Sequence, residues 1–263
     1  MAGGPADVQM DIRDETLASA IPLGTDAVVH LAAISRDGDC RNDPRAAFDV
    51  NVTGTLNVAR ACRERGVAQL IFASSEWVYG NSASAVQRED DAIEIAQLGG
   101  EYALTKITAE RALAFACPRD LANVTVLRFG IVYGPRPANW SAVESLFDKV
   151  GRADSISIGS LASARRFVHV DDIATGILAA LGRTGFEIYN VSGDTLVTLG
   201  DIIETSSRIH GTAPAITETQ PANASVRNPD NAKAAAILGW HPRVDLETGL
   251  RSLQHDRSFA AAT

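Results

Sequence analysis

Three short apolar runs, spaced so that a helix can return between them, constrain this chain more than any other feature. DAVVHLAA (26–33), QLIFASS (69–75) and VTVLRFG (124–130) are each bounded by polar or turn residues, the pattern of strands buried on both faces. Between the first two, RAAFDVNVTGTLNVARACRERG reads as one long helix opened by Pro44 and closed by Gly66. Between the second and third, the stretch from Gly99 to Ala116 is rich in Ala, Leu and Glu and reads as another helix. This alternation predicts an α/β fold with a parallel sheet and helices on both faces. Ahead of these lie VQMDIRD, a short apolar run ending in acids, and DETLASAI, which has helical spacing. Beyond Gly134 the texture changes. Pro135, Pro137 and Trp140 open a region of short elements, RRFVHVDDIATGILAAL supplies a strand and a helix, and EIYNVSG another strand. Residues 1–133, joined again by 166–192, are expected to form the sheet domain. Residues 134–165 and 193–263 are expected to form a smaller lobe over its C-terminal edge, where ligands of open parallel sheets bind.

The formal net charge of -8 and the pI near 5.1 argue against a nucleic-acid or acidic-membrane partner. Cys40, Cys62 and Cys117 are too scattered for a disulfide framework or a metal cluster, so reduced thiols, no metal and a cytoplasmic location are expected. No basic start leads into an apolar run, and no window reaches ~18 apolar residues, so neither signal peptide nor membrane span is expected.

Tyr102 and Lys106 stand four residues apart at the start of the Gly99–Ala116 helix, on one face. An ammonium one turn from a phenol is expected to lower the phenol's pKa, letting Tyr102 exchange a proton with a hydroxyl or carbonyl at neutral pH.

The segments DIRD, VVHLAA, NVTGTLNVARAC, SSEWVYG, EYALTK, LRFGIVYGPR, RRFVHVDDIA and YNVSG, followed by LGWHPRVDLETGL, occur in the order and spacing of one family. The chain resembles the extended short-chain dehydrogenase/reductases, in particular the NAD-dependent epimerase/dehydratase group, which acts largely on nucleotide sugars. The resemblance implies a Rossmann-like doubly wound sheet that binds NAD or NADP, with the C-terminal lobe binding substrate. It makes Tyr102 the general acid/base, Lys106 its partner on the nicotinamide ribose, and Ser75 the hydroxyl donor to the substrate oxygen. It places Asp11 and Ile12 beside the adenine, and Leu31, Ala32, Ala33, Ser74, Phe129 and Ile131 along the cofactor. Ser35, Glu76 and Arg165 fall to the substrate, Arg165 on its phosphate. Asn51 matches a buried Asn that orders active-site backbone, and Asp171 reads as the N-cap of the following helix. The helices from Pro44 and Tyr102 are those such proteins pair in a homodimer, with Leu104, Ile107 and Leu113 as apolar area.

Three departures shape the expectation. The family's opening strand, glycine-rich turn, helix and second strand are missing, since Gly3 and Gly4 follow no strand and precede Pro5. The sheet therefore reads as N-terminally truncated by roughly fifty residues, either a shortened form of a normal enzyme or a reduced homologue. Trp77 stands where 4,6-dehydratases carry an acid, and Glu76 is one residue early, which strand alternation would turn away. Ile131 stands where many nucleotide-sugar enzymes have Asn. The reading is a sugar epimerase, the substrate being a nucleotide sugar, with two alternatives: a dehydrogenase or reductase of a sugar or small carbonyl compound, and a non-catalytic remnant.

Overall fold

The structure, a computed structural model, describes residues 8–80, 85–136 and 141–255; Gly3, Gly4, Pro137 and Trp140 lie outside them. The described residues form two compact units. One gathers residues 8–80, 89–128 and 177–189, the other residues 85–88, 129–136, 141–176 and 190–255.

The first unit carries a four-stranded sheet in which β1 (Ala27–His30), β2 (Gln69–Ser75), β3 (Asn123–Phe129) and the strand Gly185–Val191 are neighbours in that order. β1 and β2 run parallel, Ala27 opposite Gln69 and His30 opposite Phe72. QLIFASS is a strand over its whole length, and all seven of its residues are buried. DAVVHLAA is strand only as far as His30. Beyond it the backbone N–H and C=O of Ile34 are bonded to the Asn51 side chain, so the chain turns from the ladder and leaves Leu31 56% exposed.

Val8–Asp14 is no strand. The Asp11 carboxylate accepts the Arg13 N–H at 2.8 Å and forms a turn, the local alternative a short Asp side chain offers the backbone. Asn57 then holds that turn on the next helix, donating to the carbonyls of Ile12 and Asp14 at 2.7 Å each. Of DETLASAI only Leu17–Ala20 is helical, as a single 3-10 turn.

After β1 come α1 (Asp37–Asn42) and α2 (Pro44–Phe48), the latter capped by Asp43, which accepts from the Ala46 N–H at 2.9 Å. The long helix expected from Pro44 to Gly66 is continuous at its junctions, where Phe48, Asp49, Gly54 and Thr55 all have right-handed helical dihedrals, but Asp49–Gly54 is π-helical before α3 (Thr55–Arg65) resumes. Gly66, at φ +67°, ends it as glycine readily does. α4 (Glu101–Asp120) is the helix expected there. A Cβ on Gly100, just before it, would collide with the Asp37 carboxylate, so α1 packs directly on the N-terminus of α4.

Val58 and Cys62 of α3, Leu113 and Cys117 of α4, Leu70 and Phe72 of β2, and Val124 and Val126 of β3 make one core. The alternate strand positions share a sheet face, and each large apolar side chain there contributes about 2 kcal/mol. Leu113 is wholly inside this core and Ile107 packs with Val78 and Tyr79 in a second cluster, so neither supplies the apolar area expected for a partner chain. Cys40, Cys62 and Cys117 are free and buried. No helix among the described residues is long and apolar enough to cross a membrane.

The second unit holds α5 (Ala142–Arg152), α6 (Val170–Ala179) as far as Gly176, α7 (Leu199–His210), α8 (Ala232–Leu238) and α9 (Leu246–His255). Its core joins Phe147 and Val150 of α5, Ile202 of α7, and Leu250 and Leu253 of α9 to Tyr133 and Phe167. Asp171 does not cap α6 but is its second residue, exposed 3.5 Å from His169. The neighbouring Asp172 is the structural acid: buried, it accepts from the backbone of Arg243 at 2.8 Å and Val244 at 3.0 Å, fixing the LGWHPRV segment.

Candidate active site

β2 ends where the Ser75 hydroxyl accepts the Trp77 N–H at 3.3 Å and starts the 3-10 turn Glu76–Tyr79. Gly80 closes that turn at φ +58°, and a Cβ there would collide with the Gln97 carbonyl, so glycine is required twice over. Strand alternation therefore stops at Ser75. Glu76 is the first residue of the turn, fully buried, and its direction is not set by the pleat as the sequence reading assumed.

α4 lies along β2 and places Tyr102, Lys106 and Glu110 at successive four-residue steps. Each of these side chains faces a different residue of the strand end. Lys106 Nζ donates to the Ala73 carbonyl at 2.7 Å and the Ser74 hydroxyl donates to Glu110 Oε1 at 2.5 Å, while the Ser75 hydroxyl stands near enough to the Tyr102 phenol to favour its ionised form. Trp77 meets the Tyr102 ring edge-on, the centroids 6.5 Å apart.

The electrostatics differ from the sequence expectation. Burial pushes the Tyr102 phenol up to about 12, and the Ser75 hydrogen bond only partly offsets it. The ammonium expected to lower it has turned to Ala73, its Nζ 5.9 Å from the Tyr102 ring centroid. Burial likewise pushes Lys106 down to about 8, with Glu110 and Cys40 acting in the opposite sense.

Asn51, in the π-helical turn, accepts from the Ile34 N–H at 2.8 Å and donates to the Ile34 carbonyl at 2.9 Å and the Thr105 hydroxyl at 3.0 Å. Thr105 in turn donates to the Tyr102 carbonyl at 2.8 Å. The segment after β1 is thus joined to the first turn of α4.

The structure brings Ser75, Tyr102 and Lys106 together, with Ser74 and Glu76 adjacent in the chain. Because β1 and β2 are parallel, Leu31, Ala32, Ala33 and Ser35 leave the sheet at the edge where Ser75 ends β2. Leu31, Ala32 and Ser35 are exposed and Ala33 half-buried, so the small residues after β1 are not core packing. Asp11 is exposed and held by Arg13 through bonds of 2.9 and 2.6 Å, which keep its carboxyl down at about 2. Ile12 packs on α3 where Gly54 makes room for it. Phe129, Ile131 and Arg165 belong to the second unit. There Ile131 packs against the core, and the Arg165 guanidinium donates to the Ser225 carbonyl at 2.6 Å and hydroxyl at 3.0 Å. That unit also has a cavity of about 180 Å³ lined by Tyr133, Phe167, Arg243 and Asp245 among others; no site residue expected from the sequence lines it.

Sequence reasoning missed Glu110 and Arg128. Their side chains are fully buried and joined by two bonds, Nε to Oε1 at 3.1 Å and Nη2 to Oε2 at 2.8 Å. The signal was available: an arginine inside the apolar run VTVLRF has to find a buried acid.

Known proteins carry the same arrangement of elements. Over 230 residues the chain is 29% identical to a UDP-glucuronate 4-epimerase of Thermodesulfobacterium geofontis, covering 86% of this chain and 70% of that protein. The crystal structure of UDP-glucose 4-epimerase from Thermotoga maritima with UDP-glucose superposes with a TM-score of 0.84 at 25% identity, covering 95% of this chain and 84% of that one. MoeE5 in complex with UDP-glucuronic acid and NAD gives 0.85 at 26% identity, covering 96% and 85%. The family model described as NAD dependent epimerase/dehydratase matches residues 5–192, which include the whole Ser75, Tyr102 and Lys106 constellation. With the fold and the family model in agreement, the chain belongs to the NAD-dependent epimerase/dehydratase family of enzymes.

Proposed function

We propose that this chain is a nucleotide-sugar epimerase that works on a UDP-hexose or UDP-hexuronate with NAD or NADP as cofactor. The observation that carries this reading is the Tyr102 phenol beside the Ser75 hydroxyl, with a buried Lys106 one turn further along α4 and bonded to the Ala73 carbonyl next to that strand end. The named relatives act on or bind sugars of this class.

The residues present fit a nicotinamide cofactor by the chemistry of their donors. A buried ammonium and a phenol stand at the sheet edge where small, exposed residues let a ligand approach the backbone. Lys106 and Tyr102 would hold the nicotinamide ribose, and Leu31, Ala32 and Ala33 would lie along the cofactor. When bound, the oxidised cofactor supplies a positive charge and takes up a hydride that is later returned to the opposite face of the sugar.

The chain's own residues manage the proton. Tyr102 accepts it from the sugar hydroxyl, and Ser75 donates to the oxygen as it becomes a carbonyl. The phenol held near 12 is neutral at pH 7, so proton transfer requires added positive charge beside it, from the cofactor or from Lys106 turned off Ala73. Return of the proton to the same oxygen completes the cycle. Trp77 in place of an acid weighs against dehydration. Arg165, Ser35 and Glu76 are proposed to contact substrate.

The test is incubation of UDP-glucose and UDP-glucuronate with the purified chain and NAD, followed by chromatography for the 4-epimer. Tyr102→Phe should lower turnover by about 10²- to 10⁴-fold with the fold intact. Steady accumulation of NADH would replace the epimerase reading with the dehydrogenase one.

A further inference from the structure

We infer that Glu110 and Arg128 form a positioning pair that holds the catalytic end of β2 against α4 and holds a negative charge behind Lys106. The inference rests on the reading of Ser75 and Lys106 as catalytic.

Four elements meet at this pair. Glu110 of α4 accepts from the Ser74 hydroxyl of β2, one residue before Ser75, and from Arg128 of β3. Arg128 also donates to the Tyr79 hydroxyl at 3.1 Å and the Glu89 carbonyl at 3.4 Å, and its guanidinium lies 4.9 Å from the Tyr79 ring centroid. Tyr79 closes the turn that begins at Glu76. The pair therefore grips the chain on both sides of Ser75, through Ser74 before it and Tyr79 after it.

Burying this pair has a cost that packing alone does not explain. Two apolar side chains of similar volume would fill the space at no worse stability, because desolvating both ions offsets most of their attraction. What apolar residues would not supply is a fixed charge four residues from Lys106 and a hydrogen bond to Ser74. Lys106 is faced by Tyr102 and Glu110 on its own helix, Cys40 on α1 and His30 on β1. Of these, Glu110 is first among the groups that favour its charged form.

Glu110→Gln removes the charge at constant length, and Ser74→Ala removes one hydrogen bond while leaving the ion pair whole. The chain has three lysines, Lys106, Lys149 and Lys233, so isotope-labelled lysine followed by NMR resolves the Lys106 titration without cofactor or substrate. In Glu110→Gln, Lys106 should titrate below the parent's value of about 8. In turnover of the UDP-sugar, Ser74→Ala should lower kcat about tenfold and leave KM within about twofold, the pattern of lost alignment rather than lost binding. An unmoved Lys106 titration in folded Glu110→Gln, or an unchanged kcat in Ser74→Ala, overturns the inference. If Glu110→Gln does not fold, the kcat of Ser74→Ala decides. If the parent turns over no sugar nucleotide, the proposed function fails, and the lysine titration still decides this inference by itself.

Discussion

Asn51 grips both backbone groups of Ile34, accepting its N–H at 2.8 Å and donating to its carbonyl at 2.9 Å. A side-chain amide thus does for one residue what a neighbouring strand would do, and a third bond at 3.0 Å carries the connection to Thr105 on α4. Asn51→Ala should strand these buried groups and cost about 2 to 3 kcal/mol, read as a lower denaturant midpoint with an unchanged slope.

Lys106 costs the fold stability at neutral pH and is proposed to hold the cofactor. Its proton affinity falls from 10.5 in a free chain to about 8 in the fold, so the unfolded chain binds the extra proton between those values, and stability should rise with pH across that window. At neutral pH the whole penalty is present. Lys106→Met should therefore raise the thermal midpoint at pH 7 and flatten the alkaline rise. NAD affinity, measured by calorimetry, should fall at least about tenfold through loss of a charged hydrogen bond.

His30 acts at the acid end. Buried on β1, with Nε2 2.9 Å from the Thr55 hydroxyl, it is held neutral and pushed down to about 4. Below 6.5 the unfolded chain takes a proton that the folded one refuses, so stability should fall as pH drops from 6.5 to about 4, by up to about 3 kcal/mol. His30→Gln should remove that part of the acid slope in denaturation curves recorded across the window.

Gly249 lies inside α9, where alanine would ordinarily gain about 1 kcal/mol. Here a Cβ would collide with the Tyr133 hydroxyl and stand 2.7 Å from its Cζ. Gly249→Ala should therefore destabilise the second unit by about 1 to 3 kcal/mol. Tyr133→Leu in the same chain should recover part of the loss in thermal melts.

The elements that hold the proposed site were legible because their patterns are local. QLIFASS announces a buried strand and GGEYALTK a helix start, so the sequence itself puts Ser75 at a strand end and Tyr102 and Lys106 on one helix face. What stayed hidden depends on partners far apart in sequence. Nothing beside Lys106 says that its ammonium rests on Ala73 or that burial outweighs it at the Tyr102 phenol. Val8–Asp14 was apolar enough for a strand, yet the Asp11 carboxylate and Asn57, 46 residues on, hold it as a turn. Ile107 and Leu113 were apolar enough for an interface, but the turn after β2 and the sheet core occupy them first.

The π-helical turn from Asp49 to Gly54 carries a further consequence. Such a turn holds one residue more than regular α-helix needs, and each residue added or removed rotates everything beyond it by ~100° about the axis. Asn51 faces Ile34 while Val58 and Cys62, further along, face the sheet core, and the extra residue sets the angle between those two directions. The length of this segment is therefore under tighter constraint than its composition. A change of residue between 49 and 54 alters one contact, whereas a single deletion turns either Asn51 from the loop it orders or α3 from the core it fills.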